Sequence, residues 1–171
     1  MKIGPHRQSW MQIIRQLGAV RVAEIGVWDS LMPKVVLANL PEIKQYWAID
    51  PWNVECASEP RLMKLSAEEW DRMYFDAVWL TGEFRQLRVL RMTSEAAAKM
   101  FRKDFFDTVF IDGDHAYDAV LIDVESWLPK VKSGGVLCGH DFHFATVRKA
   151  VTKLLGEVEE MPGNVWAWRK E

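Results

Sequence analysis

Cysteine is almost missing from this sequence: Cys56 and Cys138 are the only two in 171 residues, far apart and in no metal-ligand spacing. That rules out a disulfide-stapled scaffold and a thiolate zinc site, and it suits the reduced thiols of a cytoplasmic protein. No apolar run approaches the length of a membrane span, and the first residues carry no signal-peptide core. A cytoplasmic chain without membrane contact is therefore the expectation. Charge of one sign is also lacking: 22 basic against 24 acidic residues leave a formal net charge of −2, which gives no electrostatic reason to expect nucleic acid as a partner. There is no repeat, no low-complexity segment and no linker, so residues 1–171 read as one domain. A complete Gly-x-Gly-x-x-Gly is absent too. This argues against a dinucleotide, whose pyrophosphate needs close backbone approach along several residues.

What the chain does have is apolar bulk. Hydrophobic residues make up 49% and charged residues 27%, a globular balance, and nine tryptophans supply core or pocket walls. The aromatic excess is compatible with a homodimer, although no stretch marks the contact. The organising stretch is residues 107–143. It holds two β-branched apolar runs, 108–111 and 136–138, each with the character of a strand buried on both faces. Asp112, Asp114 and His115 follow the first; His140, Asp141 and His143 follow the second. A helix-period segment lies between them, then Ser133-Gly134-Gly135 as a turn. Strand, helix, turn, strand is a βαβ unit, which places both polar clusters side by side at the carboxyl edge of a parallel sheet.

The rest of the chain alternates in the same way. Trp10, Ile13, Ile14 and Leu17 give a first helix within residues 1–18, with Ser9 as N-cap and Gly18 as stop, covering an edge of the sheet. Residues 21–27 form a first strand, 31–40 a helix with Pro33 in its first turn, and 45–49 a second strand ending in Asp50. Ser66 and Glu69 make a capping box for a helix whose apolar face is Trp70, Met73, Tyr74 and Ala77, with Gly82 as its breaker. Residues 87–92 form a third strand, and Thr93 or Ser94 caps an Ala-rich helix reaching Phe101. A final helix carries Val147, Val151 and Leu154, and a hairpin of 157–161 and 165–169 closes the chain. This order means an α/β fold with a mostly parallel sheet and helices on both faces.

Glu24-Ile25-Gly26 at a strand end, ahead of a helix, is how nucleotide-type cofactors are held, and Asp50 at the end of the next strand is placed for ribose hydroxyls. The alternative is a structural glycine turn and a solvated aspartate. The runs AEIGVW, AIDPW, FIDGDHAYDAVLIDVESWLPKVKSGGVLCGHDF and VWAWRK together resemble the class I S-adenosylmethionine-dependent methyltransferases. Similarity is greatest to the small methyltransferase 24 subfamily, related to metal-dependent sugar and catechol-type O-methyltransferases. The resemblance covers residues 20–169 and implies a Rossmann-like seven-stranded sheet with an antiparallel last strand. It also implies S-adenosylmethionine as cofactor and O-methylation of a small-molecule acceptor, a sugar or secondary metabolite.

Carried onto this chain, the resemblance gives Glu24 and Gly26 to the methionine portion, Asp50 to the ribose, Trp52 to the adenine, and Thr93 and Ser94 to the adenine's other side. Trp28 joins Trp52 as a cofactor wall, with core packing as its alternative. Asp112, which also borders the cofactor, would bind a divalent cation with His140 and Asp141, and Asp114 or His115 would take the acceptor's proton. Two positions depart from the pattern: Ser30 replaces a second glycine, and His140 brings nitrogen where oxygen is usual, which turns the metal from magnesium toward manganese, iron or zinc, or leaves the site without one. The bland readings are equally concrete. Asp114 caps a helix, His140 and Asp141 form a hydrogen-bonded pair, Asp118 and Asp123 are solvated, and His6 and Arg7 are exposed. Two rivals remain at this level: an Asp-x-Asp nucleotide-sugar glycosyltransferase, and a non-catalytic subunit of the same fold. The acceptor pocket falls to residues 1–9, 51–65 and 141–146.

Overall fold

The computed structural model describes residues 3–56 and 60–171. Its elements, in chain order, are α1 (Pro5–Leu17), β1 (Arg21–Ile25), α2 (Leu31–Asn39), β2 (Gln45–Asp50), α3 (Ala67–Glu83), β3 (Leu87–Arg91), α4 (Ser94–Ala98), β4 (Phe106–Ile111), α5 (Tyr117–Trp127), β5 (Val131–Gly139), α6 (Ala145–Leu155), β6 (Glu159–Met161) and β7 (Val165–Arg169). The seven strands lie in the order β3-β2-β1-β4-β5-β7-β6, parallel through β5 and antiparallel at β7 and β6. The reversal of order between β1 and β4 is the topological switch of a doubly wound sheet, where ligands bind beyond the strand ends.

Two apolar cores follow from the two faces. α1, α2 and α3 pack on one, with Trp10 stacked on Phe110 at 4.8 Å between ring centres. α4, α5 and α6 pack on the other, around Phe106, Val109, Trp127 and Leu137. The capping box of α3 is present in full: the Ser66 hydroxyl accepts from the Glu69 N–H, and the Glu69 carboxylate accepts from the Ser66 N–H. No helix among the described residues is long and apolar enough to cross a membrane.

The structure moves several boundaries. α1 begins at Pro5, one turn earlier than Ser9, because Gly4-Pro5 starts the helix; the Ser9 hydroxyl instead donates to the Pro162 carbonyl at 2.7 Å. The helix packs on the sheet face over β4, β5 and β7 rather than on an edge. α4 stops at Ala98, and Gly82 sits inside the last turn of α3 rather than ending it. Ser133-Gly134-Gly135 lies inside β5 as an irregularity of register opposite Phe106 and Thr108. Gly135 is required there, since a Cβ would lie 2.6 Å from the Asp107 carbonyl oxygen.

One buried polar pair sits under the first strand. Glu24 is fully buried, and the Tyr46 hydroxyl donates to its carboxylate from β2. Burial pushes the Glu24 carboxyl well above the usual range, against the opposing pull of the Tyr46 hydrogen bond. Tyr46→Phe removes the partner and leaves a buried acceptor alone. The expected loss is about 1–3 kcal/mol of folding free energy, read as a lower urea midpoint at unchanged slope.

Candidate active site

A cavity of about 360 Å³ opens at the carboxyl ends of β1, β2, β3 and β4, a volume within the range of small-ligand sites. Its apolar walls include Ile25, Ile49, Pro51, Leu62 and Ile122. Its polar lining includes Asp50, Thr93, Ser94, Asp112, Asp114 and Asp123.

The β1 end of this cavity is built by main-chain geometry. Gly26 N–H donates to the Ile49 carbonyl at 2.9 Å, and Asp112 N–H donates to the Ile25 carbonyl at 2.7 Å, so three strand ends meet at Gly26. Its φ is +84°, and a Cβ would lie 2.1 Å from the Asp112 carbonyl oxygen. No residue but glycine fits. The loop that follows has Trp28 at φ 50° and Ser30 at φ 60°, left-handed positions that strain any side chain. Ser30 is buried and its hydroxyl has no partner, which is why a glycine would suit the position better.

Asp50 holds this loop. One carboxylate oxygen accepts the N–H groups of Val27 at 2.8 Å and Trp28 at 3.0 Å, and the other accepts the Trp52 N–H at 2.6 Å. Burial nevertheless pushes its carboxyl up from the ordinary value, against the pull of those N–H groups. A carboxylate offers about four lone-pair sites, so the oxygen facing Trp52 keeps acceptor capacity for a ligand hydroxyl.

Two expected residues are not in the lining. Trp52 has φ 41°, which turns its ring into the core; it is fully buried, donates from Nε1 to the Trp28 carbonyl at 3.0 Å and packs against Tyr74. Pro51 and Asn53 take its place at the wall. Glu24 is buried against Tyr46 and does not reach the cavity. Trp28, at 39% exposure, does line the cavity, as do Gly26, Thr93, Ser94, Asp112, Asp114 and His115.

Asp123 reverses the expectation of a solvated charge. It is 7% exposed and forms part of the cavity wall. The Ser94 hydroxyl accepts the Trp127 indole N–H at 2.8 Å and hydrogen-bonds the Asp123 carboxylate. Burial, with Asp114 nearby, pushes the Asp123 carboxyl up to about 6, against the pull of Ser94. Helix periodicity alone put Asp123 on an open face; Trp127, one turn on, was the sequence signal that this face is covered.

The second polar cluster borders the same cavity. Asp112, His115 and Asp141 present ligand atoms within 4.8 Å of one another, all partly buried. His115 Nε2 lies 2.7 Å from Asp141. His140 Nδ1 touches both carboxylates, 3.2 Å from Asp112 and 3.3 Å from Asp141. Burial opposes the charged His140, yet the two carboxylates outweigh it and push the imidazole up to about 10. Asp141 moves the other way: despite its burial, His115 and His140 hold its carboxyl well below the usual range. His143 stands 3.7 Å from Asp141. His6, expected to be exposed, packs against His140 in a tilted pair with ring centres 4.7 Å apart; burial, then Arg7 and His140, lower its pKa. All four histidines of the chain thus gather around Asp112 and Asp141. Asp114 accepts the Ala116 N–H at 2.6 Å, so it also shapes the turn into α5. Residues 57–59 of the expected acceptor loop, and residues 1–2, lie outside the described residues.

Residues 23–142 match the family model described as a methyltransferase domain, and the chain belongs to that family. It is an S-adenosylmethionine-dependent methyltransferase. Solved structures of similar fold include the O-methyltransferase NovP (16% identity, 96% of this chain and 78% of that one, TM-score 0.67). A putative caffeoyl-CoA O-methyltransferase from Staphylococcus aureus is similar at 14% identity over 97% and 83%, TM-score 0.66. The Podospora anserina methyltransferase PaMTH1, solved with S-adenosylhomocysteine bound, is similar at 13% identity over 97% and 78%, TM-score 0.63. No curated protein matches the chain.

The Asp123 geometry predicts a pH effect on stability. A carboxyl whose pKa rises from 3.8 unfolded to about 6 folded favours the folded state below the lower value. That advantage is lost as pH rises through the interval. Wild type should therefore lose up to about 3 kcal/mol more than Asp123→Asn between those pH values, at roughly 1.4 kcal/mol per unit, in urea denaturation at a series of pH values.

Proposed function

We propose that this enzyme methylates an oxygen of a small-molecule acceptor, a sugar or secondary metabolite, seated over Asp112, His115 and Asp141. The observation that carries this reading is continuity: the cavity lined by Gly26, Asp50, Thr93 and Ser94 also reaches Asp112, Asp114 and His115. S-adenosylmethionine held along Asp50 and the β1 loop would present its methyl group at the cluster. The O-methyltransferases among the structural relatives support oxygen as the nucleophile.

Methyl transfer breaks the sulfur–carbon bond, forms a carbon–oxygen bond and releases the hydroxyl proton. Alignment of nucleophile, methyl and sulfur supplies much of the rate. The proton goes to a group within reach, Asp114 or His115. Asp141 fixes the His115 ring through the 2.7 Å contact, as a carboxylate orients a general base.

The donor set fits a divalent cation: two carboxylates and an imidazole nitrogen, mutually within 4.8 Å, suit manganese, iron or zinc better than magnesium. A cation there would lower the pKa of the acceptor hydroxyl and fix its direction. Asp112, Asp141 and one of His115 or His140 would hold it, leaving Asp114 as base. A second reading rests on His140, which bridges both carboxylates and, held protonated, neutralises them without a metal.

Methyl transfer from labelled S-adenosylmethionine across hydroxylated acceptors, with and without chelator, tests both. The expected result is O-methylated product lost on chelation, restored by manganese, and reduced at least a hundredfold by Asp112→Asn or Asp141→Asn. Chelator-insensitive turnover with strong loss in His140→Gln would select the metal-free reading. N- or S-methylated product alone would reject oxygen as the nucleophile.

A further inference from the structure

Helix α3 buries only one side. Trp70, Ala77 and Leu80 face the sheet, with Tyr74 held by the Arg91 guanidinium 4.9 Å over its ring. Arg91 also pairs with Asp71 at 2.6 Å, which pins the helix in this orientation. The opposite side exposes Trp79 at 84% and Phe75 at 62%, flanked by Val78 at 37%. Isolated exposed apolar residues are ordinary; two aromatics and a valine within two turns form a patch that marks a contact.

The patch has a seam. Glu68, Arg72, Phe75, Trp79 and Gly82 fall at alternating spacings of four and three, the stripe by which two helices pair. Arg72, Asp76, Gly82 and Glu83 are exposed alongside it. A Cβ on Gly82 would meet nothing within 4 Å, so that end of the seam is open. Among the described residues, Arg72 and Glu83 make no ion pair.

We propose that two copies of this chain associate through α3, packed antiparallel about a two-fold axis near Ala77, with Phe75 of each copy against Trp79 of the other. The arrangement is isologous, as two-fold contacts must be. The same axis sets Arg72 opposite Gly82 and Glu83 of the second copy. Measured along the helix from Ala77, Arg72 and Glu83 differ by only about 1.5 Å, the rise of one residue. Two symmetric Arg72–Glu83 pairs would flank the aromatic centre, and Gly82 leaves room for the arginine side chain. The two Val78 residues meet on one flank. On the other, Asp76 approaches its own mate, a like-charge cost that Arg72, one turn away in the same helix, reduces.

The charge of the helix selects this occupant over a lipid surface. α3 carries five acids (Glu68, Glu69, Asp71, Asp76, Glu83) against one base, Arg72, and an anionic membrane repels such a helix. The patch is small beside a standard interface, so the dimer should be weak and concentration-dependent. This inference does not depend on the acceptor chemistry.

Sedimentation velocity of the full chain across a hundredfold concentration range tests it. Wild type should shift from monomer to dimer. Trp79→Glu should abolish the shift with unchanged circular dichroism and thermal midpoint, as expected for a residue 84% exposed in its own fold. Asp76→Asn should tighten association several-fold. Arg72→Glu and Glu83→Arg should each weaken it at least fivefold, and the double variant should restore it. A wild type that stays monomeric throughout overturns the proposal, as does a dimer indifferent to Trp79→Glu or one whose charge reversals fail to compensate. Recovery of α3 bound only to some other protein overturns it as well.

Discussion

The cavity edge of this protein depends on one carboxylate. Asp50, at the end of β2, gathers the N–H groups of Val27, Trp28 and Trp52 and so ties the loop after β1 to the loop after β2. Without it, two segments with left-handed residues at Trp28, Ser30 and Trp52 would lose three of the hydrogen bonds that hold their strain. The carboxylate therefore has two duties: it completes the fold locally, and its remaining acceptor capacity faces the cavity. Gly26 imposes the complementary constraint, allowing β1 and β4 to end in direct main-chain contact.

The same economy governs the cluster after β4 and β5. Parallel pairing sets Ile111 beside Gly139, so the residues just beyond each strand emerge together. Asp141, at φ 56°, then meets His115 and His140. The N-terminal helix adds His6 from a different direction. Its start is pressed against the closing hairpin, where a Cβ on Gly163 would lie 2.3 Å from the His6 nitrogen. The hairpin thus reaches the site indirectly, by seating the helix that carries His6.

Much of this was legible in the sequence because local pattern and global fold agree. The β-branched runs marked β4 and β5, Gly26 marked the end of β1, and the βαβ order alone brought Asp112 and His115 beside His140 and Asp141. The family resemblance agreed with the methyltransferase domain match, and the match leaves the nucleotide-sugar glycosyltransferase reading without support. What was not legible depended on long-range placement. Trp52 reads as a wall residue by position, but one left-handed φ turns it inward. Asp123 reads as a surface charge because its partner Ser94, which joins it to Trp127, lies on another helix about thirty residues away. His6 reads as a free terminus because its neighbour, the turn at Gly163, lies at the other end of the chain.

The central claim is that the cavity joining Gly26, Asp50, Ser94 and Asp112 holds the cofactor. Calorimetric titration of the purified protein with S-adenosylhomocysteine addresses it directly. The account predicts one site per chain with micromolar affinity, weakened at least tenfold in Asp50→Asn, whose fold is checked by circular dichroism. Absence of binding to the wild type, or binding untouched by that substitution, would contradict it.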